Sequence, residues 1–297
     1  MLHSMQEILD RAKAMPGRRV AVAAAHDKAV LEAVKAAKEL GVAEAVLVGH
    51  AEEIEAILSE LGADPAEFDI VPADTDQDCA AKAVACVREG RANCILKGLL
   101  GTGDLMRAVL NRETGIRKGA LLSHLMFLEV PGYPKLLVVT DGGLNTAPTL
   151  EQKAVILESA AEALQALGYE TINASCVCGA EVVNPKIPAT TDAEALAAMD
   201  CWKKYNMNVI GPVGLDLAVS KAACEHKHFT APGAGEADIL LVPAYEVGNA
   251  AVKALTLFAG AKNAGIVVGA KAPVLLVSRA DTAEAKLASI ALGCLLG

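Results

Sequence analysis

Short apolar runs alternate along this chain with longer stretches in which Ala, Val, Leu and Ile recur every three to four positions. The first pattern marks buried strands and the second amphipathic helices. Residues 18–25 have the strand pattern, and 28–40 have the helix pattern, ended by Gly41. A strand at 43–49, an acidic helix at 52–61, a strand near 69–72, a helix at 76–88 and an apolar strand at 93–97 follow. The regularity breaks at residues 115–119; Ser123-His124, an apolar stretch to Val130 and the turn Pro131-Gly-Tyr-Pro134 follow, and a domain crossing is expected near here. Beyond it the pattern predicts strands at 135–139, 171–178, 208–213, 237–243 and 265–269. Helices are predicted at 150–167, 193–204 and 217–224, and another opens at Glu246. The chain ends with a strand at 274–277 and a helix from Ala283. Repeated βα units joined by short connections predict an α/β fold of mostly parallel sheets covered by helices.

Composition narrows the function. The chain has 297 residues, of which 53% are hydrophobic and 3% aromatic, with a net charge of −9. Its size suits one large or two medium domains. The acidity argues against a general nucleic-acid binder, which needs basic surface, and few aromatic side chains are available to stack on bases. The N-terminal residues carry Glu7 and Asp10 and lack a signal-peptide core, and no apolar run reaches the ~20 residues of a membrane span. A cytoplasmic location is therefore expected. The eight cysteines are scattered, several inside apolar elements, and read as reduced, buried thiols. Cys176-x-Cys178 places two thiols on one strand face. Cys224-x-His226-x-His228 lacks a fourth ligand at a familiar spacing, so no metal site is expected.

Polar residues gather where strands end. The fourth strand empties into Lys97-Gly98-Leu-Leu-Gly101-Thr102-Gly103-Asp104, whose glycines allow close backbone approach. Lys97 and Thr102 suit an anion at the start of the helix carrying Arg107, and Arg117 follows a short break. The segment is neither a Walker loop nor a dinucleotide fingerprint. Thr140-Asp141 with Asn145, then Asp216, Asp238 and Asn249, mark later strand ends, each residue also able to serve as a cap or turn former. Ser278, Arg279 and Asp281 lie between the last strand and the last helix. There an arginine fork and a helix N-terminus favour a phosphate or carboxylate. Ser278-x-x-Asp281 and Asp281-x-x-Glu284 equally fit helix capping boxes. Together these positions describe a crevice at the carboxyl ends of strands in an enzyme acting on an anionic small molecule.

The ordered set Lys97-Gly98 with Thr102, Ser123-His124, Thr140-Asp141 with Asn145 and Pro148, Gly211-Pro212 with Asp216, Ala237-Asp238, Gly248-Asn249 with Lys253, and Ser278-Arg279-Ala280-Asp281 resembles the phosphate acetyl/butyryltransferase family along nearly the whole chain. The Ser-Arg-Ala-Asp form and the compact length place the resemblance on the butyryl side of that family. It implies a two-domain fold like that of the isocitrate and isopropylmalate dehydrogenases. Residues 1–122 with 270–297 would form the first domain, and 123–269 the second, carrying a dimer interface. It implies acyl transfer between coenzyme A and orthophosphate, with coenzyme A as substrate, no permanently bound cofactor, and a homodimer or larger assembly. Ser278, Arg279 and Asp281 would be catalytic: a donor to the developing oxyanion or sulfur, a phosphate clamp and a base for the thiol. Lys97, Thr102, Arg107, Arg117, Ser123, Thr140, Asp141, Asn145, Asp216, Asp238 and Asn249 would contact substrate. Gly142 follows Asp141 where acetyltransferases often carry a cysteine, so no cysteinyl acyl-enzyme forms there. Lys153 and Lys253, inside helices, read as solvated. Acetyl transfer, a dehydrogenase of the same fold and a non-catalytic acyl-CoA binder are the competing expectations.

Overall fold

The computed structural model of the protein describes residues 1–119, 121–276 and 281–297. Its chain contacts separate a terminal unit, Met5–Ala120 with Ala264–Gly297, from a middle unit, Leu121–Asn263 with Met1–Ser4. Relative to the division expected from sequence, residues 1–4 and 121–122 group with the middle unit and 264–269 with the terminal one. Hydrogen bonds explain the first shift: Leu136 N donates to Leu2 O at 3.1 Å and Leu2 N to the Tyr169 hydroxyl at 3.2 Å.

In the terminal unit, strands β1 (Arg19–Ala23), β2 (Glu44–Gly49), β3 (Asp69–Pro72), β4 (Cys94–Lys97), β10 (Lys262–Val268) and β11 (Val274–Leu275), numbered in chain order, lie in the sequence β3-β2-β1-β4-β11-β10. Neighbours from β3 through β11 pair in parallel, and β10 returns antiparallel to β11 through Val267 and Val274. Every residue of β4 is buried, which accounts for an apolar run without alternation. Helices α1 (Met5–Lys13), α2 (Lys28–Glu39), α3 (Ala51–Glu60), α4 (Asp76–Arg88), α5 (Thr102–Val109) and α11 (Ala283–Leu296) complete the unit. Asp27 caps α2 by accepting from Val30 N, and Thr75 caps α4 by accepting from Asp78 N. Gly41 follows α2 with φ +69°, a left-handed position that stops the helix. Helix α11 packs against α1, α2, β4 and β11. It is buried on most sides, which explains its Ala/Leu/Ile-rich, weakly patterned sequence.

In the middle unit, β6 (Leu137–Thr140), β9 (Ile239–Leu241), β7 (Ile172–Val177) and β8 (Met207–Val213) pair in parallel in that order, with β5 (Ser123–Glu129) antiparallel to β6. Helix α6 (Leu150–Ala166) begins at a capping box formed by Thr149 and Gln152. Helix α10 (Tyr245–Phe258) follows β9. Two expected helices differ. The one at 193–204 is α7 (Pro188–Ala197), started by a proline in its first turn, followed by a 3-10 segment, Asp200–Tyr205. The one at 217–224 is split into α8 (Leu215–Val219) and α9 (Lys221–His226). Ser220 is extended between them and caps α9 by accepting from Ala223 N.

Candidate functional site

In the terminal unit the carboxyl ends of β1, β4 and β11 converge. Gly98 leaves β4 in contact with the turn after β1, where its N–H donates to Ala23 O at 2.8 Å and Leu99 N donates to Ala24 O at 2.9 Å. A Cβ on Gly98 would sit 2.1 Å from Ala24 O, so only glycine fits this approach. Lys97 is 9% exposed, and its ammonium donates to Gly98 O at 3.0 Å and Leu100 O at 3.1 Å. The chain leaves β11 beside it, because Leu275 pairs with Leu96. Thr102 is the exposed first residue of α5 and provides no cap; Gly101 is the N-cap residue. Arg107 is exposed and pairs with Asp104 at 2.9 Å. Arg117 is exposed and bridges Ala270 in antiparallel fashion.

Ser278 and Arg279 lie outside the described residues. Asp281 precedes Thr282, which caps α11 by accepting from Ala285 N at 3.2 Å. The capping box expected of Asp281 with Glu284 does not form, because the helix is capped one residue later and its third position is Ala285. A threonine hydroxyl fills the cap, and the Asp281 side chain is not used for it. Behind Asp281 stands a residue that sequence reading passed over: Lys286, 2% exposed, donates its ammonium to the Asp281 carbonyl oxygen.

In the middle unit, the polar residues predicted around Thr140 form one network at the carboxyl end of β6. Asp141, 2% exposed, accepts from Gly143 N and Leu144 N at 2.8 Å through Oδ1. Its Oδ2 accepts from His124 N at 3.0 Å and Asn145 Nδ2 at 2.6 Å. Thr140 Oγ1 donates to His124 O at 2.9 Å, and Asn145 Nδ2 also reaches Leu122 O at 2.9 Å. This uses the Asp141 carboxylate to shape the turn, the role of a buried anion that accepts several N–H bonds. Ser123 is buried at the start of β5, and its hydroxyl has no hydrogen-bond partner among the described residues. Gly142 and Gly248 meet backbone to backbone: a Cβ on Gly142 would lie 2.8 Å from Gly248 C. Asn249 Nδ2 contacts Gly142 O at 3.4 Å.

Two predicted residues stand apart from this network. Asp238 sits at the amino end of β9, not at a carboxyl end. Both its oxygens are engaged, Oδ1 with the Lys135 ammonium at 2.5 Å and Oδ2 with Asn173 N at 2.7 Å. It is fully buried, and that burial pushes its carboxyl above the ordinary range, opposed by the Lys135 bond. Asp216 lies in the first turn of α8, past the carboxyl end of β8, and pairs with Lys227 at 2.8 Å. That hydrogen bond holds its carboxyl below the usual value. Lys153, expected to be solvated, is 6% exposed and paired with Asp192 at 2.7 Å beside Cys176 and Cys178. Burial pushes the Cys176 thiol up to about 12 and raises that of Cys178, which disfavours the nucleophilic thiolate at both. Cys224 is buried and donates to Leu217 O at 3.3 Å. Among the described residues no helix is long and apolar enough to cross a membrane.

A helix-covered, mostly parallel sheet with a buried lysine and glycine turns at its strand ends defines an α/β protein. Comparison with known proteins gives the class. The model of the phosphate acetyl/butaryl transferase family matches residues 3–83 and 74–294, and the chain belongs to that family. The phosphate butyryltransferase of Clostridium acetobutylicum is 42% identical over 297 residues, covering 100% of this chain and 99% of its own. The phosphate acetyltransferase of Thermotoga maritima is 39% identical over 280 residues, covering 93% and 94%. The crystal structure of a branched-chain phosphotransacylase from Enterococcus faecalis matches with a TM-score of 0.84 at 32% identity, covering 94% and 98%.

Proposed function

We propose that the protein transfers a short-chain acyl group, butyryl, reversibly between coenzyme A and orthophosphate in a ternary complex. The observation that carries this reading is full-length kinship with a phosphate butyryltransferase, 42% identical across all 297 residues. A phosphate oxygen attacks the thioester carbonyl carbon, the carbon–sulfur bond breaks, and the sulfur leaves as thiolate and takes a proton. In the opposite direction a base removes that proton, because a thiol with a pKa near ~8.5 is mostly protonated at neutral pH. Asp281 is assigned that proton transfer, Ser278 a hydrogen bond to the developing oxyanion or sulfur, and Arg279 paired donors to the phosphoryl group. Lys97 adds positive charge at the end of β4, beside the exit of β11. Gly142 supports direct attack. A side chain there would strike the Gly248 backbone, so the turn after Asp141 holds no nucleophile.

Thr102, Arg107 and Arg117 are exposed cationic or hydroxyl groups of the terminal unit and are assigned to phosphate or coenzyme A. The protein binds coenzyme A only as a substrate, carries no permanent cofactor, and works in the cytoplasm as a homodimer or larger assembly through its middle unit. The acetyltransferase relative favours a second reading, acetyl transfer by the same steps. One methylene is worth only ~1–3 kcal/mol of discrimination. Arg279→Ala tests the assignment. Its KM for phosphate should rise at least ~10-fold, as expected for loss of a bidentate charged contact, with KM for acyl-CoA within about twofold. An unchanged phosphate KM would remove Arg279 from the reaction.

A further inference from the structure

Four lysines are buried among the described residues: Lys97, Lys135, Lys153 and Lys286. Lys135 and Lys153 face carboxylates, Asp238 and Asp192. In the terminal unit, Lys97 reaches backbone carbonyls at the end of β4, and Lys286 donates to a backbone carbonyl at the start of α11. Lys286 is the most buried of the four, at 2% exposure, and it sits in a helix that otherwise buries Ala, Ser, Ile, Leu, Gly and Cys. An ammonium is costly in such surroundings unless its position is used. Side chains on a helix lean toward its N-terminus, so a lysine in the first turn reaches back past the cap. Lys286 does so, passing Thr282 to hold the Asp281 carbonyl. Its backbone N–H meanwhile donates to Thr282 O at 3.1 Å. Asp281 and Thr282 are thus tied to the same turn of α11 by separate bonds: the ammonium holds Asp281, and the Thr282 hydroxyl holds Ala285 N. The positive end of the helix lies at the same place, an arrangement that favours a neighbouring negative charge.

We propose that Lys286 is a positioning residue that acts through Asp281. By fixing the Asp281 carbonyl at the amino end of α11, it sets the Asp281 side chain for proton transfer to and from the thiol sulfur. The inference rests on the assignment of Asp281 made above. A double-mutant cycle on the full-length protein tests it, with kcat for phosphate-dependent thiol release as the readout. Lys286→Met should lower kcat at least ~10-fold while leaving KM for phosphate and for acyl-CoA within about twofold. In an Asp281→Asn background the same substitution should cost less than about twofold, because the residue it acts through is already gone. Equal losses in the two backgrounds, or no loss in either, overturn the proposal. Lys286→Arg keeps a cationic donor and should retain kcat within about threefold. A ~10-fold loss in that variant overturns the proposal even where the Met variant fails to fold. A wild-type protein with no phosphate-dependent release removes the functional reading and this inference together. An active wild type with an unaffected Lys286→Met variant removes the inference alone.

Discussion

Asp141 and Asp238 are both buried aspartates predicted to contact substrate, and their neighbours give them different work. Asp141 gathers N–H donors from the turn that follows it and from His124, so its charge organises the carboxyl end of β6. Asp238 stands at the opposite end of its strand and neutralises Lys135, 103 positions earlier in the chain. No local spacing reveals a partner that distant, and a polar residue in an apolar strand reads the same at either end. Lys286 was hidden for a related reason: inside a helical pattern a lysine reads as solvated until packing covers it. Breaking one side of a buried pair costs about 3–5 kcal/mol, because the remaining charge stays desolvated. Asp238→Ala should therefore lose about that much stability in urea titration. Below the unfolding midpoint, the folded variant should keep its kcat within about twofold. A large kcat loss in folded protein would return Asp238 to the substrate site.

At the scale of elements, buried parallel strands were legible because both faces are covered and the apolar run is continuous, as in β4. Long helices were legible too, α2 with its stop at Gly41 and α6 from Leu150, while their caps at Asp27 and Thr149 came only with the structure. Short helices were not. Residues 217–224 read as one helix, and the Ser220 cap divides it. Helix α1 buries just Met5, Ile8 and Ala12, too few positions to stand out near the chain start. The turn after β6 was visible as a glycine pair, but its reason is the distant α10, whose Gly248 lies against Gly142. A Cβ on Gly248 would come within 2.7 Å of Gly142 Cα and 2.9 Å of Val242 Cγ2. Overpacking of that kind costs about 1–3 kcal/mol. Gly248→Ala is therefore expected to lower the melting temperature and to displace the Asn249 contact with Gly142 O. A variant with wild-type melting and wild-type kcat would show that the two backbones tolerate separation.

At the scale of the molecule, each unit contributes a run of mostly parallel strands, and polar side chains collect near element ends. In the terminal unit these are buried lysines bonded to carbonyls, and in the middle unit a hydrogen-bonded aspartate turn. The fold class followed from hydrophobic patterning, and the candidate chemistry from the ordered motifs. The details that distinguish a supporting residue from a reacting one came only with burial and partners. The most direct measurement of the whole account is thiol release from butyryl-CoA, with and without phosphate, repeated with acetyl-CoA. Release should depend on phosphate and be faster with butyryl-CoA. Equal or faster release from acetyl-CoA would move the acyl preference and leave the mechanism in place. Absence of phosphate-dependent release from any short acyl-CoA would contradict acyl transfer itself.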